Sequence, residues 1–321
     1  KIIGGVRLSG KVNNNLRLGI LSVQTEEDIA NQIPATNNSV LAIQQKVFSR
    51  SNLSFLFINK QATKKYDFLS DNDSYNRVIG VDYNLASSDN TWIGRYFVHK
   101  SFSPGIENKD ISTGISTEYN SRFFKIRLSG LYIGDDFRSD LGFVRRTDII
   151  KMNPSFERAF YPKKGKIQKH NFSIIPIFIW KPELDFENSD YMIISKWKMN
   201  FTNSSELEVS MFNKFTHLYD DFDPTRTDST PLPGNKNYTY TSFDVKYRSD
   251  MREKVSFAIS PSFGQFFNGK KYSLKGQLTW RLQPYFQTKV QVNYNYIDLP
   301  KPYPTKSIWL VGPRFDVTSL H

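Results

Sequence analysis

The sequence predicts an all-β protein, a transmembrane antiparallel β-barrel of about 16–20 strands, with roughly 18 strands expected in the native chain. First, apolar and polar residues alternate almost without interruption between Val255 and Tyr296, and a side-chain period of two is the pattern of a β-strand. Second, the alternating stretches run for roughly ten to sixteen residues, whereas strands of soluble sheets are usually ~5–6 residues long. Third, the connections are short and long in turn, as in outer-membrane barrels.

About seventeen strands can be placed in order along the chain. They cover 2–12, 16–26, 38–50, 53–62, 75–87, 91–103, 111–121, 123–134, 147–161, 167–181, 191–202, 205–219, 237–249, 254–267, 271–282, 285–298 and 306–318. The short connections between them are rich in Asn, Asp, Ser and Gly, as tight hairpins require. The long connections, which would be the external loops, cover 27–37, 63–74, 104–110, 135–146, 182–190 and 220–236. The alternation of short and long connections is interrupted once, at 268–270, where a short connection stands in place of a long one.

Two features interrupt the regular pattern. Prolines fall inside four of the predicted strands, and a proline removes one donor from the hydrogen-bond ladder, so bulges or bends are expected there. The stretch from Phe172 to Trp180 is apolar on both faces, which predicts packing against a plug or another protein. The prolines are Pro154, Pro176, Pro261 and Pro313.

The composition fits a membrane barrel and excludes several other classes. Only 39% of the residues are hydrophobic, which suits a barrel because each strand needs just one apolar face. Aromatic residues make up 15% of the chain and could supply the belts at both membrane interfaces. Cysteine is absent, which removes the usual ligands of zinc and iron–sulfur clusters, and no cofactor is predicted.

The formal net charge of +12 has two readings. It can come from lysines in the barrel interior and the loops, or it can attract lipopolysaccharide phosphates or an acidic solute. Nucleic acid is not expected as a partner, because the chain contains no basic helix, recognition motif or basic run.

Three segments resemble a Bacteroidota outer-membrane family. Residues 132–148 read YIGDDFRSDLGFVRRTD, residues 3–11 read IGGVRLSGK, and residues 310–318 read LVGPRFDVT. Members of that family usually carry an N-terminal domain similar to carbohydrate-binding family nine, followed by a large barrel of unknown function. The resemblance covers essentially the whole chain, so 1–321 is expected to be a single barrel domain. It also implies that the companion domain and some flanking strands lie outside these residues, and it supplies no catalytic residue.

Alternation places a set of basic residues on the polar face of the predicted strands, where they would line the lumen. Rings of Lys and Arg can favour anions in a pore; alternatively, the same residues can pair with carboxylates in the lumen or on a plug. The set comprises Arg7, Lys11, Arg95, Lys125, Arg127, Lys196, Lys198, Lys275, Arg281 and Lys289.

A dense group of charges lies on one predicted external loop, within the 132–148 motif. One reading is a loop folded into the lumen and latched there by Arg–carboxylate pairs. The other is a solvated loop whose ion pairs each contribute less than ~1 kcal/mol. The residues are Asp135, Asp136, Arg138, Asp140, Arg145 and Arg146.

Two weaker patterns point to chemistry. Residues 220–228, DDFDPTRTD, place oxygen ligands at alternating positions, which suits Ca²⁺, but the EF-hand pattern is missing, and a flexible acidic loop is the preferred interpretation. His217 is the one histidine that could face outward as part of a barrel hydrolase, although nearby serines do not share its face.

The sequence therefore predicts a non-enzymatic integral protein of the bacterial outer membrane, porin-like, which passes or binds a solute and possibly a glycan. The alternative is a structural or accessory subunit of a larger outer-membrane complex for secretion, barrel assembly or nutrient uptake. The expected partners are outer-membrane lipid, lipopolysaccharide and other outer-membrane proteins.

Overall fold

The structure, a computed structural model, describes residues 1–282 and 285–317. Eighteen strands in these residues form one antiparallel sheet. The strands are β1 (Ile2–Lys11), β2 (Leu16–Thr25), β3 (Thr36–Val47), β4 (Ser51–Ala62), β5 (Tyr75–Ala86), β6 (Trp92–Phe102), β7 (Ile111–Asn120), β8 (Phe124–Ile133), β9 (Ile149–Met152), β10 (Ser155–Phe160), β11 (Ile167–Lys181), β12 (Glu187–Phe201), β13 (Glu206–Leu218), β14 (Lys236–Arg248), β15 (Val255–Phe266), β16 (Gly269–Leu282), β17 (Phe286–Asp298) and β18 (Lys306–Val317).

The all-β antiparallel fold predicted from the alternation is thus confirmed. Two one-turn 3₁₀ helices, Asp71–Asp73 and Pro182–Leu184, interrupt long connections. None of the helices in the described residues is long and apolar enough to cross a membrane.

Two sequence predictions were wrong in detail. The single strand expected over 147–161 is two strands, β9 and β10, which are separated by Asn153 and Pro154. Proline explains the break, because it has no N–H to donate to the ladder. The long loop expected over 182–190 is shorter, since β12 already begins at Glu187. Pro176, Pro261 and Pro313 lie inside strands as predicted. Thr318, at the end of the last predicted strand, lies outside the described residues.

The chain divides into two compact units. The first contains Lys1–Ser121, Ile126–Pro154 and Ile179–Glu187; the second contains Arg122–Lys125, Ser155–Phe178 and Asn188–His321. In the first unit, β1 to β7 pair consecutively as hairpins, and β8 pairs with β9. In the second, β10 pairs with β11, and β12 to β18 pair consecutively.

Burial in the sheet is inverted relative to a water-soluble protein. On β15, Ser256 is fully buried while its neighbour Phe257 is 44% exposed; on β16, Thr279 is 1% exposed while Trp280 is 46% exposed. Successive side chains of a strand point to opposite faces, so one face is polar and covered and the other is apolar and open. The same inversion holds in the first unit, where Asn76 and Asp82 are buried and Val81 is exposed.

The buried apolar cluster of the second unit lies beneath one long connection, residues 219–235. Leu232 of that connection is fully buried against Tyr238 and Tyr240 at the start of β14. Leu218, Phe266, Phe267 and Tyr303 pack around these three residues. A hydrophobic contact therefore ties this connection to the strands below it.

Candidate functional site

A row of polar side chains crosses the first unit on one face of its sheet. The register pairs Lys11 with Arg17, Arg17 with Gln44, Gln44 with Ser54, and Ser54 with Asp82, from β1 to β5. Directly opposed residues share a face, so this face is polar across five strands. The same five residues line a cavity of about 560 Å³.

Asp82 anchors the charged end of this row. Its Oδ1 accepts hydrogen bonds from Arg95 Nη2 at 2.7 Å and Nε at 3.1 Å, and its Oδ2 lies 2.9 Å from His99 Nε2. Asp82 is 8% exposed, and a buried carboxylate needs such partners to remain ionised. Arg95 and His99 flank Phe97, which the register places opposite Asp82, so all three lie on the same face.

The register assigns the predicted lumen residues to the polar face of their strands. Arg7 and Lys11 share the face of Arg17, and Arg95 shares the face of Asp82. Arg127 Nη2 donates to Glu118 Oε2 at 2.6 Å, and Lys125 lies two residues before it on β8.

The five predicted lumen residues of the second unit also lie on one polar face. Lys198 pairs with Glu206 at 2.8 Å and Lys196 with Glu208 at 3.4 Å. Arg281 Nε donates to Gln287 at 3.0 Å. Lys275 and Lys289 form no ion pair with any residue that the structure describes. Lys196 and Lys198 are therefore paired with carboxylates, Lys275 is left to attract another anion, and the charge of Lys289 acts on Asp316.

The loop from 134 to 148 packs onto the polar face of the first unit through Arg138 and Asp140. Arg138 Nε donates to Asp140 Oδ1 at 2.5 Å, its Nη1 to Asp73 Oδ1 at 2.6 Å, and Lys60 Nζ to Asp140 Oδ2 at 2.8 Å. The hydrogen bond to Asp140 raises the pKa of Arg138. Burial alone would raise the pKa of Asp140, but the hydrogen bonds from Arg138 and Lys60 outweigh it and hold that pKa below its usual value.

Neutral hydrogen bonds reinforce this docking. Asn76 on β5 accepts the N–H of Asp140 at 2.9 Å and donates through Nδ2 to the Arg138 carbonyl and to Ser103 Oγ, both at 3.1 Å. The N–H of Arg138 donates to Ser101 Oγ on β6 at 3.2 Å. Asn76 therefore binds the loop through both the oxygen and the nitrogen of its side-chain amide. Phe137, between the docked segments, is buried.

The end of the same loop is tied to the β11–β12 connection. The backbone N–H of Glu183 donates to Asp148 Oδ1 at 3.1 Å, and Lys181 Nζ lies 3.7 Å from Asp148 Oδ2. Glu183 also accepts a hydrogen bond from Lys109, which raises the pKa of that lysine. Two further connections are therefore joined to the 134–148 loop.

The six residues of the predicted latch have different surroundings. Arg138 and Asp140 form the ion pairs described above. Asp135 is exposed and accepts from Thr147 at 3.5 Å, and Asp136 is exposed and uses its backbone N–H on the Lys109 carbonyl. Arg145 and Arg146 are also exposed.

The proposed calcium ligands serve the local turn. Asp223 Oδ1 accepts from the N–H of Thr225 at 2.8 Å and its Oγ1 at 2.6 Å, while Oδ2 accepts from the N–H of Thr227 at 2.7 Å. The Thr225 hydroxyl bond is the main cause that lowers the pKa of Asp223 to about 2. Within the described residues, no group of three or more His, Asp or Glu side chains is placed to hold a metal ion.

His217 has neighbours that do not fit a hydrolase. Its Nδ1 lies 2.7 Å from Asn237 Oδ1, and its ring packs edge-on against Tyr219. In the part of the chain that the structure describes, no serine hydrogen-bonds to this ring. A nucleophile–base pair would need that contact.

Sequence reasoning missed the partners of the basic residues. Asp82, Glu118, Glu206 and Glu208 share the polar face with the cations that they bind, and the alternation already placed them there. The alternation also places Lys60, the partner of Asp140, on this face. The hydrogen bonds from Asn76 to the loop could not be predicted, because no local sequence pattern indicates them.

Comparison with known proteins gives one informative result. A search of curated proteins finds no match. The model of a domain of unknown function, DUF5916, matches residues 1–305. Strands β1 to β17 and the docked loop lie within that span, and β18 begins directly after it. Since the match covers nearly the entire chain, the protein belongs to the DUF5916 family.

Proposed function

We propose that the sheet closes into a barrel in the bacterial outer membrane and that its polar face lines a pathway for a small polar solute. One observation carries this proposal: on β2 to β17 many large apolar side chains are exposed, while the most deeply covered side chains are mostly polar. An outer-membrane barrel has this arrangement, because lipid surrounds its apolar band and water fills its lumen.

The size of the exposed apolar surface supports a lipid environment. Trp280, Phe257 and Leu278 are each more than two-fifths exposed and lie near one another on one face. Water-soluble monomers rarely expose contiguous apolar patches larger than a few hundred Å². Here the patch extends over successive strands of each unit, so contact with lipid would remove a large unfavourable hydration term.

Strand length supports the same environment. Most strands have 10 to 15 residues, and at ~3.3 Å per residue a typical strand of this kind is about 35–40 Å long. A tilt of ~40° reduces its vertical span to roughly 27–30 Å, close to the ~25 Å apolar band of such barrels.

The edge carrying the short connections has the composition of a membrane interface. Arg158 lies 3.9 Å from the centre of the Phe124 ring, and Arg122 lies 5.1 Å from that of Tyr161. Long cationic side chains at an interface cover apolar surface while their charged ends reach water and lipid phosphates. Aromatic rings are enriched at the same depth.

The chemistry of the polar face supports passage or binding of solutes. The cavity lined by Lys11, Arg17, Gln44, Ser54 and Asp82 presents several hydrogen-bond donors and acceptors in a small volume. A cation without a carboxylate within ion-pair distance, such as Lys275, would favour anionic or hydroxyl-rich solutes.

The deciding experiment has two stages. Purified protein is first reconstituted into liposomes, and resistance to carbonate extraction is expected if the sheet spans the bilayer. The protein is then added to planar bilayers in symmetric KCl, where discrete conductance steps are expected. Extraction by carbonate would contradict the barrel, whereas a carbonate-resistant protein with no conductance above the lipid background would contradict the open pathway alone.

A second candidate is an accessory subunit of an outer-membrane complex. Its support is the apolar stretch predicted over 172–180: Ile174 to Ile177 of β11 carry apolar side chains on both faces, so the side that is polar on other strands offers an apolar surface there to a plug or partner. Tagged protein, extracted in mild detergent, would then copurify with other outer-membrane proteins at a stoichiometric ratio. Recovery of the chain alone from native membranes would contradict this candidate.

A further inference from the structure

A second cavity, of about 220 Å³, lies on the polar face of the second unit. Its lining includes three lysines, Lys214, Lys271 and Lys275, and one carboxylate, Asp244. The formal net charge of these four groups is therefore +2. None of the three lysines forms an ion pair with a residue in the described ranges.

Lys271 is close enough to repel both of the other lysines. Lys214 experiences the charge of Lys271, and Lys271 that of Lys275. Like charges held together on a covered surface are unfavourable unless an anion or solvent compensates them. The single carboxylate, Asp244, offsets only part of this repulsion.

Aromatic packing holds two of the ammonium groups in place without neutralising them. Lys214 Nζ lies 5.3 Å from the centre of the Phe212 ring and 5.8 Å from that of Tyr240. Lys271 Nζ lies 5.2 Å from the centre of the Phe266 ring. Cation–π contacts of this kind stabilise a cation but leave its N–H donors available to a ligand.

Neutral donors complete the lining. Ser273 Oγ donates to Asn295 Oδ1 at 2.8 Å, which directs the amide oxygen of Asn295 to the serine and leaves its Nδ2 group to donate elsewhere. The hydroxyls of Ser242 and Ser262 also line the cavity. Hydroxyl and amide donors beside lysine ammonium groups form a suitable environment for a multiply charged oxyanion.

We infer that this cavity binds a phosphoryl dianion, either inorganic phosphate or the phosphate group of a small phosphomonoester. The charge excess of the lining equals the charge of the ligand, and lysine binds phosphate as a point charge. The volume equals that of roughly seven water molecules at ~30 Å³ each, enough for one phosphate group with a few waters. The inference names a solute class for the pathway proposed above and rests on that proposal for its biological setting.

Binding can be measured without a membrane. Detergent-solubilised protein at pH 8, where phosphate is a dianion, is titrated calorimetrically with inorganic phosphate, glycerol 1-phosphate and acetate at constant chloride concentration. Both phosphate compounds are expected to bind, and acetate at least about tenfold more weakly. Absence of phosphate binding, or acetate binding of equal strength, would overturn the assignment.

Substitutions of the cavity lysines test whether phosphate binds at this place and through these charges. Lys214→Gln, Lys271→Gln and Lys275→Gln should each weaken phosphate binding roughly 10- to 100-fold, since each removes one charge-assisted hydrogen bond. Lys289→Gln, which removes the same charge from the same face of β17 outside the cavity, is the matched control and should change binding less than about twofold. Asp244→Asn should strengthen binding, because it removes the negative charge.

The melting temperature, measured with and without phosphate, distinguishes loss of binding from misfolding of a variant. Phosphate should raise the melting temperature of the wild-type protein and of Lys289→Gln, because a ligand bound only to the folded state stabilises it. The three cavity variants should melt at or above the ligand-free wild type, since each relieves repulsion, yet respond little to phosphate. If these variants keep the full phosphate response, the assignment is wrong, whatever the outcome of the conductance measurements.

Discussion

Asn76 on β5 accepts the backbone N–H of Asp140 at 2.9 Å, across 64 residues of sequence. The same amide donates to the Arg138 carbonyl, so one side chain on the polar face binds both ends of a short loop segment. Asn76 is 1% exposed. The loop is thus attached through a residue that water hardly reaches, which makes its docking more than a solvated surface contact.

The first prediction concerns this attachment. Asn76→Ala leaves the Asp140 N–H and the Arg138 carbonyl without their partner, at a cost of about 1–3 kcal/mol for each buried group. The loop should then open more often, and trypsin should cleave after the exposed Arg145 or Arg146 at least about tenfold faster. Asn84→Ala on the same face of β5, whose Nδ2 donates to Asn52 Oδ1 at 2.9 Å, is the control and should leave the cleavage rate near that of the wild type.

The second prediction follows from the charge of Asp140. Because its pKa lies below the usual value in the folded protein, the carboxylate contributes stability above the unfolded pKa of about 3.9 and loses it as the pH falls through the folded value. Asp140→Asn should therefore lower the free energy of unfolding by about 1–2 kcal/mol at pH 7, and this difference should shrink at pH 3, below the unfolded pKa. Urea unfolding in detergent at both pH values measures this. A difference of the same size at low pH would contradict an electrostatic cause.

The docked segment around Arg138 and Asp140 also shows what could and could not be predicted from the sequence. Residue alternation predicted the strands and the face of each side chain, since a period of two is a local property of the backbone. The dense group of charges on a predicted external loop marked Arg138 and Asp140 as candidates for a docked loop. Neither pattern could identify Asn76, Asp73 or Lys60 as their partners, because those contacts depend on where a loop lies after the sheet has formed.

The broken strand at Asn153 and Pro154 has a different explanation. The alternation continues through this position, so the pattern alone predicted one strand over 147–161. The missing N–H of the proline ended the ladder locally, and strand pairing resumed at Ser155. Pro261, by contrast, keeps its register opposite Leu274, so the effect of a proline depends on whether its N–H is needed at that place.

The third prediction concerns the acidic loop. Asp223 accepts hydrogen bonds from the Thr225 hydroxyl and from backbone N–H groups of Thr225, Arg226 and Thr227, and these bonds lower its pKa to about 2. Its contribution to stability should therefore persist from neutral pH to about pH 4 and disappear as the pH falls toward 2. A chelator should leave the melting temperature unchanged, and added Ca²⁺ should not raise it. Asp223→Ala should lower the melting temperature with or without Ca²⁺; a Ca²⁺-dependent stabilisation of the wild type would restore the calcium interpretation.

The fourth prediction tests the polar face of the first unit. Asp82→Asn removes the carboxylate that pairs with Arg95 at 2.7 Å and leaves that cation uncompensated beside the cavity. If this face lines the pathway, the reversal potential under a KCl gradient should move toward that of chloride. Asp250→Asn, in the short β14–β15 connection where Asp250 pairs with Arg252, is the control and should produce a smaller shift. Equal shifts would argue against a pathway along this face.

The last prediction compares two neighbours on β17 that face opposite sides of the sheet. Val292 lies on the apolar face, opposite Val311 of β18, and Gln291 lies on the polar face, opposite Gln277 of β16. Arginine on the lipid side near the bilayer midplane should cost about 2–4 kcal/mol, whereas the polar face should accept it with little change. Guanidinium unfolding in phospholipid vesicles, followed by tryptophan fluorescence, should therefore separate Val292→Arg from Gln291→Arg by at least about 2 kcal/mol. If Gln291→Arg is the more damaging variant, the apolar face is not the lipid-facing one, and the barrel proposal fails at this strand.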